Sequence, residues 1–110
     1  MTAAELSVDR QPTGNGSVLV LAGEIDMSTA GQLRRAVDQA LAEKPTRIVL
    51  DFGGVTFCDS QGLSTLIALN KAVDAAAGTL VLTNVGDFLQ RLLEITGLRA
   101  AFAIEEPAGS

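Results

Sequence analysis

The first pattern along the chain is an alternation, Glu5-Leu6-Ser7-Val8-Asp9-Arg10. A period of two predicts a half-buried strand, here at a sheet edge. The turn-rich cluster Pro12-Thr13-Gly14-Asn15-Gly16 comes next, then Val18-Leu19-Val20-Leu21-Ala22, apolar at every position. Such a run predicts a strand covered on both faces, joined to the first as a hairpin. Gly23 to Thr29 lead into a helix. Leu33, Ala36, Val37, Ala40 and Leu41 follow the spacing of one buried helical face, with Arg34, Arg35, Asp38, Gln39 and Glu43 on the wet side and Pro45 at the end.

Arg47 to Phe52 reads as a second buried strand, broken by Gly53-Gly54. A second helix is predicted from about Ser60 to Ala77, with Leu63, Leu66, Ile67 and Val73 inside and Gly78 as its stop. Thr79 to Thr83 is a third buried strand. Val85-Gly86-Asp87 opens a third helix, with Leu89, Leu92 and Leu93 inside and Gly97 at its end. Ala101 to Ile104 is a last short strand, and 105–110 reads as a frayed tail. The order β-β-α-β-α-β-α-(β) predicts an α/β fold: one domain, with a mixed, mostly parallel sheet of four to five strands and flanking helices.

Composition narrows the function. The 110 residues carry a net charge of −5, no histidine, and eight scattered Lys and Arg. Nucleic acid and anionic membrane surfaces both need clustered bases, so neither is an expected partner. The apolar runs are too short to span a bilayer. A single cysteine, Cys58, cannot close an internal disulfide, and the N-terminus has no signal-like pattern. A reducing cytoplasm is the expected compartment.

One stretch stands out chemically: Val55-Thr56-Phe57-Cys58-Asp59-Ser60-Gln61-Gly62-Leu63. Ser60 sits where a strand gives way to a helix, as a hydrolase nucleophile does in Gly-x-Ser-x-Gly. Here Cys58 holds the first glycine place, and no histidine exists to act as base. Lys44 and Lys71 lie at no motif spacing for a Ser-Lys pair. Cys58 has an acid, Asp59, as its neighbour, which disfavours a thiolate, so a small core residue is the expected role. Glu24, Asp26, Asp51 and Asp59 are read as solvated carboxylates and caps in preference to a weak Mg²⁺ site. No phosphate loop occurs. The expectation is therefore a chain that is not an enzyme and has neither metal nor cofactor.

Two roles stay open for Ser60. Asp59 or Ser60 can cap the second helix. A helix N-terminus also accommodates an anion, so a phosphate on Ser60 is compatible with the fold while altering what the surface binds. Gly62 either clears space beside Ser60 for another protein or packs against the sheet.

Asp59-Ser60-Gln61-Gly62-Leu63 resembles the Asp-Ser-x-Gly-Leu signature of bacterial anti-sigma factor antagonists, the STAS-domain family. Leu21-Ala22-Gly23-Glu24-Ile25-Asp26, Ile48-Val49-Leu50-Asp51-Phe52 and Gly78-Thr79-Leu80-Val81-Leu82 resemble its other conserved segments, and the match runs from about Leu6 to Ile104. The resemblance implies a single STAS domain over 1–110. It implies an antagonist that binds an anti-sigma factor serine kinase and releases the sigma factor. Phosphorylation of Ser60 ends that binding, and a serine phosphatase reverses it. The partner surface would comprise Glu24, Asp26, Ser28, Thr29, Asp59, Ser60, Gln61, Gly62 and Leu63, with Asp26 either docking the partner or capping the first helix. The alternative is a soluble STAS accessory subunit of a lipid-transport ATPase, or a stress-signalling scaffold. Whether the chain is a monomer or a dimer is left open by the sequence.

Overall fold

The computed structural model describes residues 5–105. Five strands form one sheet in the order β1-β2-β3-β4-β5: β1 Leu6–Pro12, β2 Gly16–Ile25, β3 Arg47–Cys58, β4 Thr79–Thr83 and β5 Ala103–Glu105. Three helices connect them: α1 Ala30–Leu41, α2 Ser60–Ala75 and α3 Asp87–Ile95, the last followed by a short 3-10 turn, Arg99–Ala101. β1 and β2 are an antiparallel hairpin, and β2 through β5 run parallel. The 105–110 segment does not begin as a tail. Glu105 closes β5 opposite Thr83 and forms an ion pair with Arg47. The remainder, 106–110, lies outside the described residues.

The expectation that β2 is covered on both faces is not met. Leu19 and Leu21 are fully buried, whereas Val18 and Val20 are half-buried and Ala22 is exposed. The cause is the strand order. Each βαβ step moves one place in the same direction across the sheet. Right-handed crossovers, the hand taken in about 98% of cases, then put every helix on the same face. The helical residues Leu33, Val37, Leu66, Val73, Leu89 and Leu93 accordingly share one core with Leu19, Leu21, Ile48, Leu50, Leu80 and Leu82. The opposite face is a row of Val18, Val49 and Val81 in register across β2, β3 and β4.

Gly53-Gly54 does not break β3, which continues to Cys58. Two register shifts against β2 explain how. Asp51 faces Val20 but Gly54 faces Ala22, and Val55 faces Gly23 but Phe57 faces Glu24, so β3 holds one extra residue at each point. Each bulge exchanges the two faces of the strand. Phe52 points into the core, Val55 packs against it after the first bulge, and Cys58 is inside again after the second. A Cβ at Gly54 would stand 2.9 Å from the Leu21 carbonyl oxygen and 2.9 Å from Ala22 Cβ, so glycine permits the close approach of the bulged strand.

Helix α2 ends at Ala75, two residues before its expected end. Gly78 is not the left-handed residue of its C-terminus. That conformation falls on Ala77, with φ 64°. Ala77 N–H donates to Asp74 and Gly78 N–H to Val73, the paired bonds of a Schellman motif. α3 ends in the same motif with glycine in place, Gly97 at φ 74°. The inner face of α2 also includes Thr65 and Leu69, beyond the expected residues.

Candidate functional site

Three parallel strands end toward one edge of the sheet, and each hands over to a helix there. β2 and β3 finish together, with Ile25 opposite Cys58. The residues that follow, Asp26 and Asp59, therefore leave side by side, and Asp59 N–H donates back to the Ile25 carbonyl at 3.2 Å. β4 stops earlier, opposite Asp51, so α3 starts beside the projecting β2–β3 ribbon.

At the first junction Asp26 Oδ1 accepts hydrogen bonds from Ser28 N–H at 2.8 Å, Ser28 Oγ at 2.7 Å and Thr29 N–H at 3.2 Å. The Ser28 hydroxyl bond, with the backbone bonds behind it, holds the Asp26 carboxyl below its usual value; burial opposes this. The Thr29 hydroxyl donates to the Glu24 carbonyl at 2.8 Å and accepts from Asp26 N–H at 3.0 Å. Asp26, Ser28 and Thr29 thus organise the start of α1.

At the second junction the cap of α2 is Asp59. Its Oδ1 accepts from Gly62 N–H at 2.9 Å. Ser60 occupies the first helical position, is exposed, and has no part in that bond. Gly62 is buried, and a Cβ there would lie 2.7 Å from the Ile25 carbonyl oxygen and 2.8 Å from Cys58 Sγ. Of its two readings, packing against the sheet is the one realised; it does not clear space on the outside. Cys58 is a core residue. Burial, reinforced by the Asp59 charge, pushes its thiol from 9.0 up to about 11, which keeps it protonated.

The nine expected partner-contact residues fall into two groups. Ser28, Ser60 and Gln61 are exposed and Glu24, Asp26 and Asp59 are half-buried, so their side chains are open to a partner. Thr29, Gly62 and Leu63 are buried. They shape the surface from beneath, and position in the signature does not imply exposure. Asp51 stands apart, accepting from Gly53 N–H and from the Asn84 side chain, each at 2.9 Å. Among the described residues no group of three His, Cys, Asp or Glu is placed to hold a metal ion.

The pattern reading missed the apolar part of this edge. Met27 is 77% exposed, Phe57 43% and Phe88 65%. Each belongs to a different strand–helix junction and stands within two residues of an acid: Asp26-Met27, Phe57 before Asp59, and Asp87-Phe88. That recurrence is visible in the sequence once the junctions are known. Electrostatics reinforce it. The segments 22–33, 48–70 and 79–90 contain Glu24, Asp26, Asp51, Asp59 and Asp87 and no Lys or Arg. The edge is acidic, with large apolar side chains set among its carboxylates.

The family described as "Mlab, STAS domain" matches residues 8–104. The anti-sigma-B factor antagonist of Bacillus subtilis is 34% identical over 94 residues, covering 86% of this chain and 85% of that protein. The anti-sigma-F factor antagonist RsfB of Mycobacterium tuberculosis is 32% identical over 88 residues, covering 80% and 71%. The crystal structure of an anti-sigma factor antagonist from Mycobacterium paratuberculosis superimposes with a TM-score of 0.80 at 29% identity, covering 91% of this chain and 85% of the other. The sheet order, the junction carrying Asp59-Ser60 and these matches agree, and the chain belongs to the STAS-domain family.

Proposed function

We propose that this protein is an anti-sigma factor antagonist whose binding is switched at Ser60. In the unphosphorylated form it binds an anti-sigma factor serine kinase and so frees the sigma factor. Phosphate on Ser60 ends the complex, and a serine phosphatase restores it. The observation that carries this reading is the division of labour between Asp59 and Ser60. The cap is supplied by Asp59, so the exposed Ser60 hydroxyl is available for modification at no cost to helix α2. The naming of the relatives as anti-sigma factor antagonists supports the same role.

A phosphate would place about −1.5 to −2 charges on an edge that is already acidic. Free N–H groups in the first turn of α2 favour an anion there, which limits the structural response. The consequence falls on the partner, which meets new bulk and charge at the centre of its contact. Glu24, Asp26 and Asp59 draw a basic kinase surface toward the edge.

The test incubates the purified chain with each anti-sigma factor kinase of its own cell and ATP, followed by phosphopeptide mapping and binding measurements. Phosphate on Ser60, retained binding by Ser60→Ala and lost binding by Ser60→Asp are expected. Equal binding by the two variants sinks the reading. Absence of phosphate on Ser60 in cells, together with co-purification of a transport ATPase, would instead establish the accessory-subunit role.

A further inference from the structure

β4 accompanies β3 only as far as the Asp51–Thr83 pair. β2 stays with β3 to Cys58. From Phe52 onward, the side of β3 that faced β4 has no strand beside it. Along that side runs a cleft of about 50 Å³, lined by Phe52, Val55, Phe57, Cys58, Phe88 and Leu89. The exposed rings of Phe57 and Phe88 belong to its two walls, one on β3 and one on α3.

Size, shape and charge together select an occupant. One water needs about 10–15 Å³ of such space, so the cleft takes the equivalent of a few waters, roughly one branched aliphatic side chain. The unaccompanied edge of β3 offers main-chain groups to an extended segment, as in strand addition. Asp59 and Asp87 lie close in sequence to the wall residues, and neither 48–70 nor 79–90 holds a Lys or Arg. A second copy of this chain, with its net charge of −5 and the same acidic edge, would bring like charges together.

We infer that the cleft seats a Leu, Ile or Val side chain carried on an extended, Lys- or Arg-bearing segment of the anti-sigma partner, lying along the free edge of β3. This rests on the proposed function and deepens it, adding a contact separate from Ser60. The aliphatic anchor supplies affinity, and the flanking bases set register and approach.

The experiment uses the full chain and the anti-sigma factor kinase that phosphorylates it. Amide hydrogen exchange is followed for each residue from Gly53 to Phe57, with and without the kinase. Binding is measured for Phe57→Ser and Phe88→Ser, two exposed positions whose replacement leaves the core intact, and melting curves check the fold. The expected results are slower exchange at Gly54–Phe57 in the complex and about tenfold weaker binding by each variant, the scale of one interface anchor. Unchanged exchange along 53–57, or binding within about twofold of wild type for both variants, overturns the inference. If the cleft variants bind normally while Ser60→Asp does not, the cleft assignment fails and the Ser60 switch stands. If no kinase binds or modifies the chain, the functional reading itself falls.

Discussion

The Asp59 carboxylate and the Gly62 N–H are joined by a 2.9 Å hydrogen bond that starts helix α2 one residue before Ser60. Removing the acceptor in Asp59→Ala is expected to cost about 1 kcal/mol, the usual worth of a helix cap. Ser60→Ala should cost far less, because Ser60 does not cap. Urea denaturation of the two variants measures the difference; a larger loss in Ser60→Ala would reverse the assignment.

Gly62→Ala tests the donor side of the same turn. The new methyl would meet the Ile25 carbonyl, Cys58 Sγ and Ile25 Cγ2, all within 2.9 Å. Two of these neighbours are backbone and core, with little freedom to move. A destabilisation of about 1–3 kcal/mol is expected from overpacking, read as a lower urea midpoint. The double variant Gly62→Ala/Cys58→Ala should recover part of it by removing the sulfur.

Ala77→Gly should stabilise the protein. Ala77 holds a left-handed φ of 64° at the end of α2, where a Cβ is unfavourable by about 1–2 kcal/mol. Glycine relieves this but adds freedom to the unfolded chain, which takes back about 0.4–1 kcal/mol. A net gain of up to about 1.6 kcal/mol remains, visible as a higher melting temperature. Gly97→Ala, at the matching position of α3 with φ 74°, should move the melting temperature the other way.

Asp26 gives a pH signature. Its carboxyl is held below the ordinary 3.8, chiefly by the Ser28 hydroxyl. The folded state therefore binds a proton less readily there than the unfolded state. The stabilisation is complete above pH 3.8 and fades as the pH falls through the lower, folded value. Carboxyl chemical shifts should show Asp26 titrating below 3.8, and Ser28→Ala should move the midpoint upward. An unmoved midpoint would dissociate the shift from that hydroxyl.

The Cys58 thiol, raised from 9.0 to about 11, should resist alkylation at pH 8 in the native protein and react rapidly in denaturant. Since the folded state favours the neutral thiol, stability should decline as the pH rises above 9, where the unfolded chain begins to ionise. Cys58→Ser would retain a small polar group without that titration, and its stability should be flatter across the alkaline range.

Much of the fold was legible because it rests on periodicity. The alternation at Leu6 and Val8 and the helical spacing of Leu33, Val37 and Ala40 each report one buried face, and those faces meet in the core. What escaped the pattern depends on relations between segments. The apolar run Val18 to Ala22 reads as a strand covered on both faces; only the sequential strand order reveals that the helices cover one. Gly53-Gly54 signals a departure from regular strand, and its nature as a bulge becomes visible only against β2. Ser60 and Asp59 were recognisable by motif. Which of them caps the helix is a matter of one backbone angle and one hydrogen bond. Met27, Phe57 and Phe88 were hidden because an apolar letter reads as core until the buried stripe is assigned to other residues.

The paired bulges of β3 set a rule for length variation in relatives of this chain. Loss of a single residue between Gly53 and Thr56 would remove one bulge together with its exchange of faces, so Cys58 would stay opposite Ile25 and inside, with Asp59 and Ser60 still at the helix start. Loss of two residues would remove both bulges and leave a regular ribbon, with Cys58 again inside. Homologues that keep the serine junction can therefore differ here by one residue as readily as by two, each change absorbed as a bulge gained or lost, so long as the residue before the acid stays opposite the last residue of β2.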